Sequence, residues 1–447
     1  MNFTELVFLP FLAVVLVVYW GVRDRRLQNA WILAASLVFY GWHEPKYVLL
    51  LLFVAALDYV APLVMQRWPR HRNAALVVSL VVNLGTLGLF KYLDFFLASF
   101  LPGVEPVGLP LPPGISFFTF QSMSYTIDAW RGRLEPRRSF VDYFAYISLF
   151  PQLVAGPVER ARDLLPQLEA PRRFTREGFA DGISLALRGA VKKVVIADTL
   201  ALYVDTAFAR ETLPGPLAAA ATLAFTVQIL ADFSGYTDMA RGVAAMMGFR
   251  LVQNFDAPYA ATSPSDFWRR WHISFSSWIH EYLYVPLGGS RYGWARTAFA
   301  TVVAMLLSGL WHGAAWNFVA WGAWHAALLL AWRAGRAHLP EALRAPLAPL
   351  RVPAVFVAVV FGWYLFRVPT LPGAPELAAL ASPGAPADLA DALRVASLAL
   401  VTGAASVLIG RPLSTSPGGR AVSWAGAALL LAIFARDTAS DFLYFRF

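Results

Sequence analysis

The sequence predicts an all-α, polytopic integral membrane protein. Of its 447 residues, 58% are hydrophobic and only 15% are charged, whereas soluble domains carry about 25% charged residues. Apolar runs long enough to cross a bilayer recur along the whole chain, and one soluble core cannot bury them all. Aromatic residues make up 15%, and many lie near the ends of these runs, where Trp and Tyr suit the headgroup layer. Lipid is therefore the expected solvent.

The apolar runs predict about 11–12 transmembrane helices. The first run is followed by Arg23, Arg25 and Arg26, and the positive-inside tendency places this loop in the cytoplasm. Alternation along the chain then puts both termini outside. The runs are 6–22, 30–41, 47–66, 74–98, 114–130, 183–204, 217–240, 297–312, 315–333, 354–368, 393–410 and 421–435.

Two stretches do not fit a simple crossing. Segment 139–156 is apolar, but basic residues flank it on both sides, and Pro151, Gly156 and Pro157 interrupt it, so a re-entrant element is expected. The stretch 241–296 is basic, aromatic and only intermittently apolar, which predicts amphipathic and re-entrant structure on the cytoplasmic side.

Several chemistries lose support from the composition. Without cysteine the chain forms no disulfide, thiolate metal site or acyl-cysteine intermediate. The net charge of +9 marks cytoplasmic loops in a membrane protein, so no nucleic-acid partner is expected. His280-Glu281 lacks the second histidine of a zinc protease, and no metal is expected. Neither a serine-hydrolase elbow nor a phosphate-binding glycine loop occurs.

The first candidate catalytic residue is His312, within Leu310-Trp311-His312-Gly313. It closes an apolar run without any charge, and an ionisable side chain in that place is a functional hypothesis by default. Imidazole suits proton abstraction near neutral pH, and burial beside Trp311 and Trp316 would favour its neutral form. A structural histidine hydrogen-bonded between helices explains the same residue equally well.

The second candidate is His272, within a stretch from Asp266 to Trp278 that is rich in Trp and Arg. This stretch predicts a helix with Ser265 as its N-cap. Its arginines fit an interfacial role on lipid headgroups. His272 precedes His312 by forty positions, and each lies where an apolar segment meets polar surroundings.

Polar residues inside apolar runs form a third group. They either line a substrate route or bond helices together, and the second role is favoured for most of them. With the tryptophans beside His312, the candidates for lining a substrate chamber are Trp311, Trp316, Ser276, Gln121, Asp232 and Tyr236.

These stretches together resemble the membrane-bound O-acyltransferase family, of the alginate O-acetyltransferase and teichoic acid D-alanyltransferase type. The landmarks occur in the family's order from about residue 30 to 330. They are 117–125, 150–157, 232–240, 254–255, 267–277, 282–289 and 308–316. The sequence differs from the family's pattern at 279–281 and at Ser290, which bears on donor or partner preference.

The resemblance implies one membrane-embedded domain, 1–447, built around a central chamber. Residues 1–130 would form N-terminal helices, 131–335 the catalytic core, and 336–447 the C-terminal helices and an aromatic tail. His312 corresponds to the family's invariant histidine and His272 to a second active-site polar residue.

The resemblance also implies the reaction and its partners. No cofactor would be bound, and acetyl-CoA or another acyl thioester would be the donor. The acyl group would reach an exported polysaccharide, through a periplasmic or membrane-anchored partner of the serine-esterase (SGNH-like) type. The chain would lie in the lipid of the bacterial cytoplasmic (inner) membrane, with many crossings.

The tail Phe442-Leu443-Tyr444-Phe445-Arg446-Phe447 is similar to aromatic C-terminal signatures of this acyltransferase group. Tyr444 is therefore a candidate acyl carrier, since a phenol is both an acceptor and a good leaving group. An aromatic anchor at the membrane interface is the competing interpretation.

Two other function classes remain open at the sequence level. A transporter or polysaccharide flippase would use the intramembrane polar groups as a pathway, although the internal repeat typical of transporters is missing. A scaffold would only recruit a secreted transferase.

Overall fold

The computed structural model describes residues 1–101, 103–338, 346–371, 373–409, 416–434 and 443. These residues are mainly helical and include no β-strand, so the predicted all-α class is confirmed. Each apolar run predicted from the sequence coincides with helical structure over its described residues. The number of membrane crossings and the domain boundaries stay predictions.

Helices make up most of the described chain. In chain order they are α1 (Phe8–Gly21), α2 (Arg25–Gly41), α3 (Lys46–Arg67), α4 (Arg72–Leu87), α5 (Leu93–Phe100), α6 (Ile115–Trp130), α7 (Phe140–Ser148), α8 (Phe150–Leu153), α9 (Ala161–Glu169), α10 (Arg176–Val191), α11 (Asp198–Phe208), α12 (Gly215–Met246), α13 (Pro264–Arg270), α14 (Ile273–Ile279), α15 (Gly293–His312), α16 (Trp316–His338), α17 (Arg351–Arg367), α18 (Ala374–Leu380), α19 (Pro386–Ile409) and α20 (Pro417–Phe434). Single π-helical segments, Gly88–Tyr92 and Lys192–Ala197, join α4 to α5 and α10 to α11.

Among the described residues, six helical stretches are long and apolar enough to cross a membrane. They are Lys46–Arg67, Pro69–Phe100, Gly215–Met246, Gly293–His312, Ala348–Arg367 and Pro386–Val407. Phe8–Gly21 and Gly418–Phe434 are shorter apolar helices. The chain is thus a multi-pass membrane protein by the length and composition of its helices.

The chain divides into two compact units. The first comprises Met1–Leu187 and Tyr236–Val252, and the second comprises Arg188–Gly235 and Gln253–Phe447. In the first unit, α3, α4 and α6 pack on one another around Asp58, which is 0% exposed. Asn83 and Thr126 donate to its carboxylate at 2.7 Å and 2.8 Å, and Ser79 bonds to it as well. Neutral donors from neighbouring helices therefore satisfy this carboxyl inside an apolar layer.

The interruption predicted within 139–156 is present in the first unit. Helix α7 ends at Ser148, and Pro151 lies in the first turn of the four-residue helix α8. Nearly every residue from 142 to 161 is buried. The backbone polar groups of this broken segment are met by protein, as non-helical chain at membrane depth requires. For example, Gln121 and Gln152 both donate to the carbonyl oxygen of Tyr146.

The second unit has an aromatic core. Trp271, Trp321 and Trp363 are fully buried, and apolar residues of α11, α12, α17 and α19 complete the cluster around them. Helices α15 and α16 form its most closely packed pair, and α16 packs in turn on α17. Both candidate histidines belong to this unit.

Candidate active site

His312 ends helix α15 and is buried, with only 3% of its surface exposed. The chain leaves the helix at Gly313 in an extended conformation. An ideal Cβ on Gly313 would lie 2.1 Å from Cε2 of Phe318, so no side chain fits there. The Trp-His-Gly sequence thus places an imidazole at a helix end that is closed against a phenylalanine ring.

Aromatic rings from several elements surround the His312 imidazole. Trp321 of α16 and Phe366 of α17 meet it edge-on, with ring centroids at 5.0 Å and 5.2 Å. Trp311 lies at 5.1 Å and Phe275 of α14 at 5.6 Å. Such packing fixes the orientation of the imidazole and keeps water from much of its surface.

Glycines bring α15 and α16 into close contact beside this histidine. An ideal Cβ on Gly309 would lie 2.1 Å from the carbonyl oxygen of Phe318, and one on Gly322 would lie 2.4 Å from that of Met305. Small residues allow helix backbones to approach in this way within membranes. The position of Trp321 against His312 therefore depends on residues without side chains.

His272 lies between two short helices, α13 and α14, and is 0% exposed. The predicted continuous helix is wrong, because the backbone of His272 adopts a left-handed conformation with φ of 43°. The predicted N-cap is also wrong, since Ser263 caps α13 by accepting from the backbone N–H of Asp266 and Pro264 takes the first helical position. A left-handed non-glycine residue costs about 1 kcal/mol or more and is often found at functional sites.

Asn254 holds this strained turn in place. It is 0% exposed, and its side-chain oxygen accepts from the backbone N–H of Ser274 at 3.2 Å and from its hydroxyl at 2.6 Å. The carbonyl oxygen of Asn254 accepts from the N–H of Ile273 at 3.0 Å. Three hydrogen bonds accepted by one buried residue thus compensate the irregular backbone at His272.

The two histidines, forty positions apart in sequence, meet the same aromatic pair. Phe275 and Trp311 have ring centroids 4.3 Å apart. The Phe275 ring lies 5.0 Å from His272 and 5.6 Å from His312. The Trp311 ring lies 5.8 Å from His272 and 5.1 Å from His312. The structure therefore brings both predicted histidines and Trp311 into one buried site.

Burial sets the protonation state of His272. Loss of water lowers the pKa of its imidazole from 6.5 to about 3, so the ring is neutral at physiological pH. A neutral imidazole still carries one N–H donor and one acceptor nitrogen. His272 is thus a poor base in this place but a suitable uncharged hydrogen-bond donor.

The other predicted chamber residues fall in different places. Ser276 lies one turn from His272, where its hydroxyl donates to the carbonyl oxygen of Trp271. Trp316 begins α16 and is 48% exposed. Asp232 forms an ion pair in the second unit, whereas Gln121 and Tyr236 belong to the first unit. Tyr444 lies outside the described residues.

Sequence reasoning did not identify two residues that the structure adds. Trp321 packs on His312, and His325, which is 1% exposed, lies on the same face of α16 with its ring 4.8 Å from that of Trp321. Like His312, His325 is an ionisable residue inside an apolar run, which is a sequence signal for a functional residue. Residues four apart on a helix are neighbours on one face, so the spacing predicts that Trp321 lies beside His325.

The aromatic site offers the chemistry of two buried imidazoles. In the part of the chain that the structure describes, no group of three or more His, Cys, Asp or Glu side chains could hold a metal ion. The arrangement supports proton transfer by one imidazole and hydrogen-bond donation by another in a dry, rigid environment.

The sequence model of the membrane-bound O-acyltransferase family matches residues 114–342, a stretch of more than half the chain. The chain is 41% identical over 393 residues to a probable alginate O-acetylase of Pseudomonas aeruginosa, and the match covers 83% of this chain and 73% of that protein. The chain belongs to the membrane-bound O-acyltransferase family. The resemblance predicted from the motifs is therefore confirmed.

Other members of the family are also similar to the chain. A peptidoglycan O-acetyltransferase of Helicobacter pylori is 35% identical over 345 residues, which cover 70% of this chain and 66% of that protein. A teichoic acid D-alanyltransferase of Bacillus subtilis is 27% identical over 273 residues, covering 57% and 68%. As a membrane-bound O-acyltransferase, this chain is an enzyme that transfers acyl groups to oxygen. His272 and His312 both lie within the matched region.

Proposed function

We propose that this enzyme transfers an acyl group, most simply acetyl, from a cytoplasmic thioester to hydroxyl groups of a polysaccharide outside the cytoplasmic membrane. His312 is the general base. The observation that carries this proposal is the convergence of two buried histidines on one aromatic pair, with ring centroids 5.0–5.8 Å from Phe275 and Trp311. A flippase requires no such dry imidazole site.

The environments of the two histidines support separate roles. Burial lowers the pKa of His272 to about 3, so its imidazole stays uncharged and can donate a hydrogen bond. The N–H of a neutral His272 is suited to hold the donor or to stabilise the oxyanion that forms at the acyl carbonyl. His312 is the proposed proton acceptor because it corresponds to the family's invariant histidine.

The reaction balances with these two groups alone. The acceptor oxygen attacks the thioester carbonyl carbon while its proton passes to a ring nitrogen of His312. The carbon–sulfur bond breaks, and the imidazolium returns the proton to the leaving thiolate. Both histidines end the cycle neutral. Proton removal during the attack avoids a free alkoxide in a site without water.

Tyr444 is the proposed first acceptor. Its phenol would form an acyl ester. A hydroxyl of the sugar or of a partner protein then attacks the ester carbonyl, the bond to the tyrosyl oxygen breaks, and the proton of the attacking hydroxyl passes to that oxygen, which restores Tyr444. The similar aromatic tails of the acyltransferase group support this step. The competing role of Tyr444 as an interface anchor predicts no acyl adduct.

The relatives support the choice of acceptor class. Alginate, peptidoglycan and teichoic acid appear in the names of the similar proteins, and all three are polymers outside the cytoplasm. By analogy, the acceptor here is an exported polysaccharide, reached through an SGNH-like esterase-type partner. The donor is acetyl-CoA or another acyl thioester, used from the inner face of a bacterial cytoplasmic membrane.

Replacement of His312 by Ala tests the proposed base. We expect acyl esters on the exported polymer to fall by about 100-fold or more, the usual contribution of a general base, at unchanged polymer yield and protein level. His71→Ala is the matched control, because His71 is an exposed histidine outside the family landmarks and outside 279–281. Loss of polymer export in His312→Ala would identify a transporter instead, and full acylation would exclude His312 as the base.

Mass spectrometry of the C-terminal peptide tests the relay. After incubation with donor, a strain that lacks the esterase-type partner should accumulate an acyl adduct on Tyr444, because the second transfer is blocked. Tyr444→Phe keeps the aromatic ring and removes the hydroxyl, so it should lose both the adduct and polymer acylation. Polymer acylation by Tyr444→Phe at the normal rate would reject the relay while leaving His312 untouched.

A further inference from the structure

Three charged side chains are buried together where α12 meets the segment between α10 and α11. Lys193 lies 2.6 Å from Asp232 and 2.9 Å from Asp198. The side chains of Lys193 and Asp232 are only 3% and 4% exposed. Ions are expensive to bury, and a buried pair is weak evidence for stability, so a cluster within a membrane helix calls for a functional explanation.

The local backbone is built for this cluster. Lys192–Ala197 is π-helical, and such segments are frequent at functional sites. Gly235, one turn after Asp232 on α12, lets this helix approach the π-helical segment closely. An ideal Cβ on Gly235 would lie 2.8 Å from the carbonyl oxygen of Gly189 and 3.0 Å from the nitrogen of Lys193. Asp232 and Gly235 therefore face the π-helical segment together.

The C-terminal tail provides the remaining partner of Asp232. Lys193 bonds to Oδ1, and Oδ2 accepts from the backbone N–H of Leu443 at 3.0 Å. Leu443 is 4% exposed and belongs to the same hydrophobic cluster as residues of α11, α12, α17 and α19. The contact is made to the main chain, so it holds the chain at this position whatever side chain is present.

We infer that Asp232, held by Lys193, is the receptor for the protein's own C-terminal segment. Its carboxylate binds the backbone of Leu443, and the apolar cluster binds the leucine side chain. The Lys193 ammonium pairs with this carboxylate, and hydrogen bonds to an ionised acceptor are about twice as strong as neutral ones. Asp232 is thus a positioning residue, and it acts on the residue that follows Leu443.

This docking site adjoins the histidine site through consecutive residues of α12. Asp232 binds the tail, and the ring of Phe233 lies 4.6 Å from that of His272. In the sequence, the residue after Leu443 is Tyr444. The consequence for acyl transfer rests on the proposed function, whereas docking of the tail does not.

Because the chain contains no cysteine, a single introduced thiol can report directly on docking. Leu443→Cys keeps the backbone N–H and places a single thiol in the tail of the full-length protein. In detergent, a maleimide should label it slowly compared with Ser382→Cys, since Ser382 is exposed. Adding Asp232→Ala should speed labelling of residue 443 by about tenfold to a hundredfold, the effect of losing a hydrogen bond to a charged group.

Asp238→Ala is the matched control in the same reporter background. It removes a partly buried carboxylate from the same helix, where Asp238 pairs with Arg241. Labelling of residue 443 should stay slow in this variant. The inference is overturned if Leu443→Cys labels as fast as Ser382→Cys, or if Asp232→Ala and Asp238→Ala behave alike.

Variants of the tail cover the case in which Asp232→Ala does not fold. Leu443→Pro removes the donated N–H and leaves the receptor intact, whereas Leu443→Ala keeps the N–H and removes only side-chain packing. Leu443→Pro should lower the thermal unfolding midpoint more than Leu443→Ala does, and equal midpoints would contradict the inference. Slow labelling of Leu443→Cys together with normal acylation by Leu443→Pro would reject the relay but keep the docking site.

Discussion

Substitution of Gly309 by Ala tests how closely α15 and α16 must pack to form the active site. The new Cβ would lie 2.1 Å from the carbonyl oxygen of Phe318 and 2.9 Å from its carbonyl carbon. A carbon atom normally stays about 3.3 Å or more from a carbonyl oxygen, so the helices must separate by about 1 Å. The obstacle is backbone, and no change of rotamer relieves it.

Two consequences of this separation have known magnitudes. Overpacking of this kind costs about 1–3 kcal/mol of unfolding free energy, offset in part by the higher helix propensity of Ala. His312 lies on the same helix three residues later, and Trp321 meets it from α16 at 5.0 Å. Because a misplacement of about 1 Å can cost about 100-fold in rate, we expect the rate of acyl transfer to fall by about that factor in protein that is still folded.

Gly335→Ala is the matched control for this prediction. Gly335 lies in α16, which packs on α15, but no atom would come within 4 Å of its new Cβ. This variant should keep full activity and gain a few tenths to 1 kcal/mol at most, about the propensity difference. Thermal unfolding in detergent and initial rates of acyl transfer provide the two readings. Normal rates and an unchanged unfolding midpoint for Gly309→Ala would refute the argument from close packing.

The remaining predictions concern buried polar groups. Burial raises the pKa of Glu159 from 4.5 to about 8, so the folded protein keeps a proton that the unfolded chain loses, and stability falls as pH rises between these values. Glu159→Gln should remove that fall in unfolding midpoint and still accept the N–H of Val252. For His272 the pKa of about 3 in the folded protein lies below the usual 6.5. Its contribution to the free energy of unfolding is therefore complete above pH 6.5 and is lost as pH falls towards 3. His272→Asn should reduce this loss of stability in acid, by up to about 1.4 kcal/mol per pH unit. Asn254→Ala should lower acyl transfer by tenfold or more, from about 1.5–3 kcal/mol of lost hydrogen bonding, while an unchanged rate would show that the turn at His272 needs no support.

Hydropathy and the order of motifs along the sequence were enough to predict the helices and the two candidate histidines. Membrane helices must satisfy their backbone internally, so long apolar runs specify helices almost regardless of their neighbours. The runs from 6–22 to 421–435 therefore coincide with the observed helices. His312 and His272 were recognised for a related reason, since ionisable groups are rare and costly in apolar surroundings.

Contacts between residues far apart in sequence decided the rest. The break at His272 depends on hydrogen bonds that Asn254 accepts, and Asn254 lies outside the stretch 266–278 from which the helix was predicted. The sequence predicts Asp232 as a chamber-lining candidate. It does not reveal that Asp232 binds Lys193 and Leu443, the latter 211 positions away. Periodicity reports which face of a helix is apolar, whereas the partner of a buried polar group is chosen by three-dimensional packing. The sequence therefore identified the histidines, and only the tertiary structure assembled the aromatic site and the tail receptor around them.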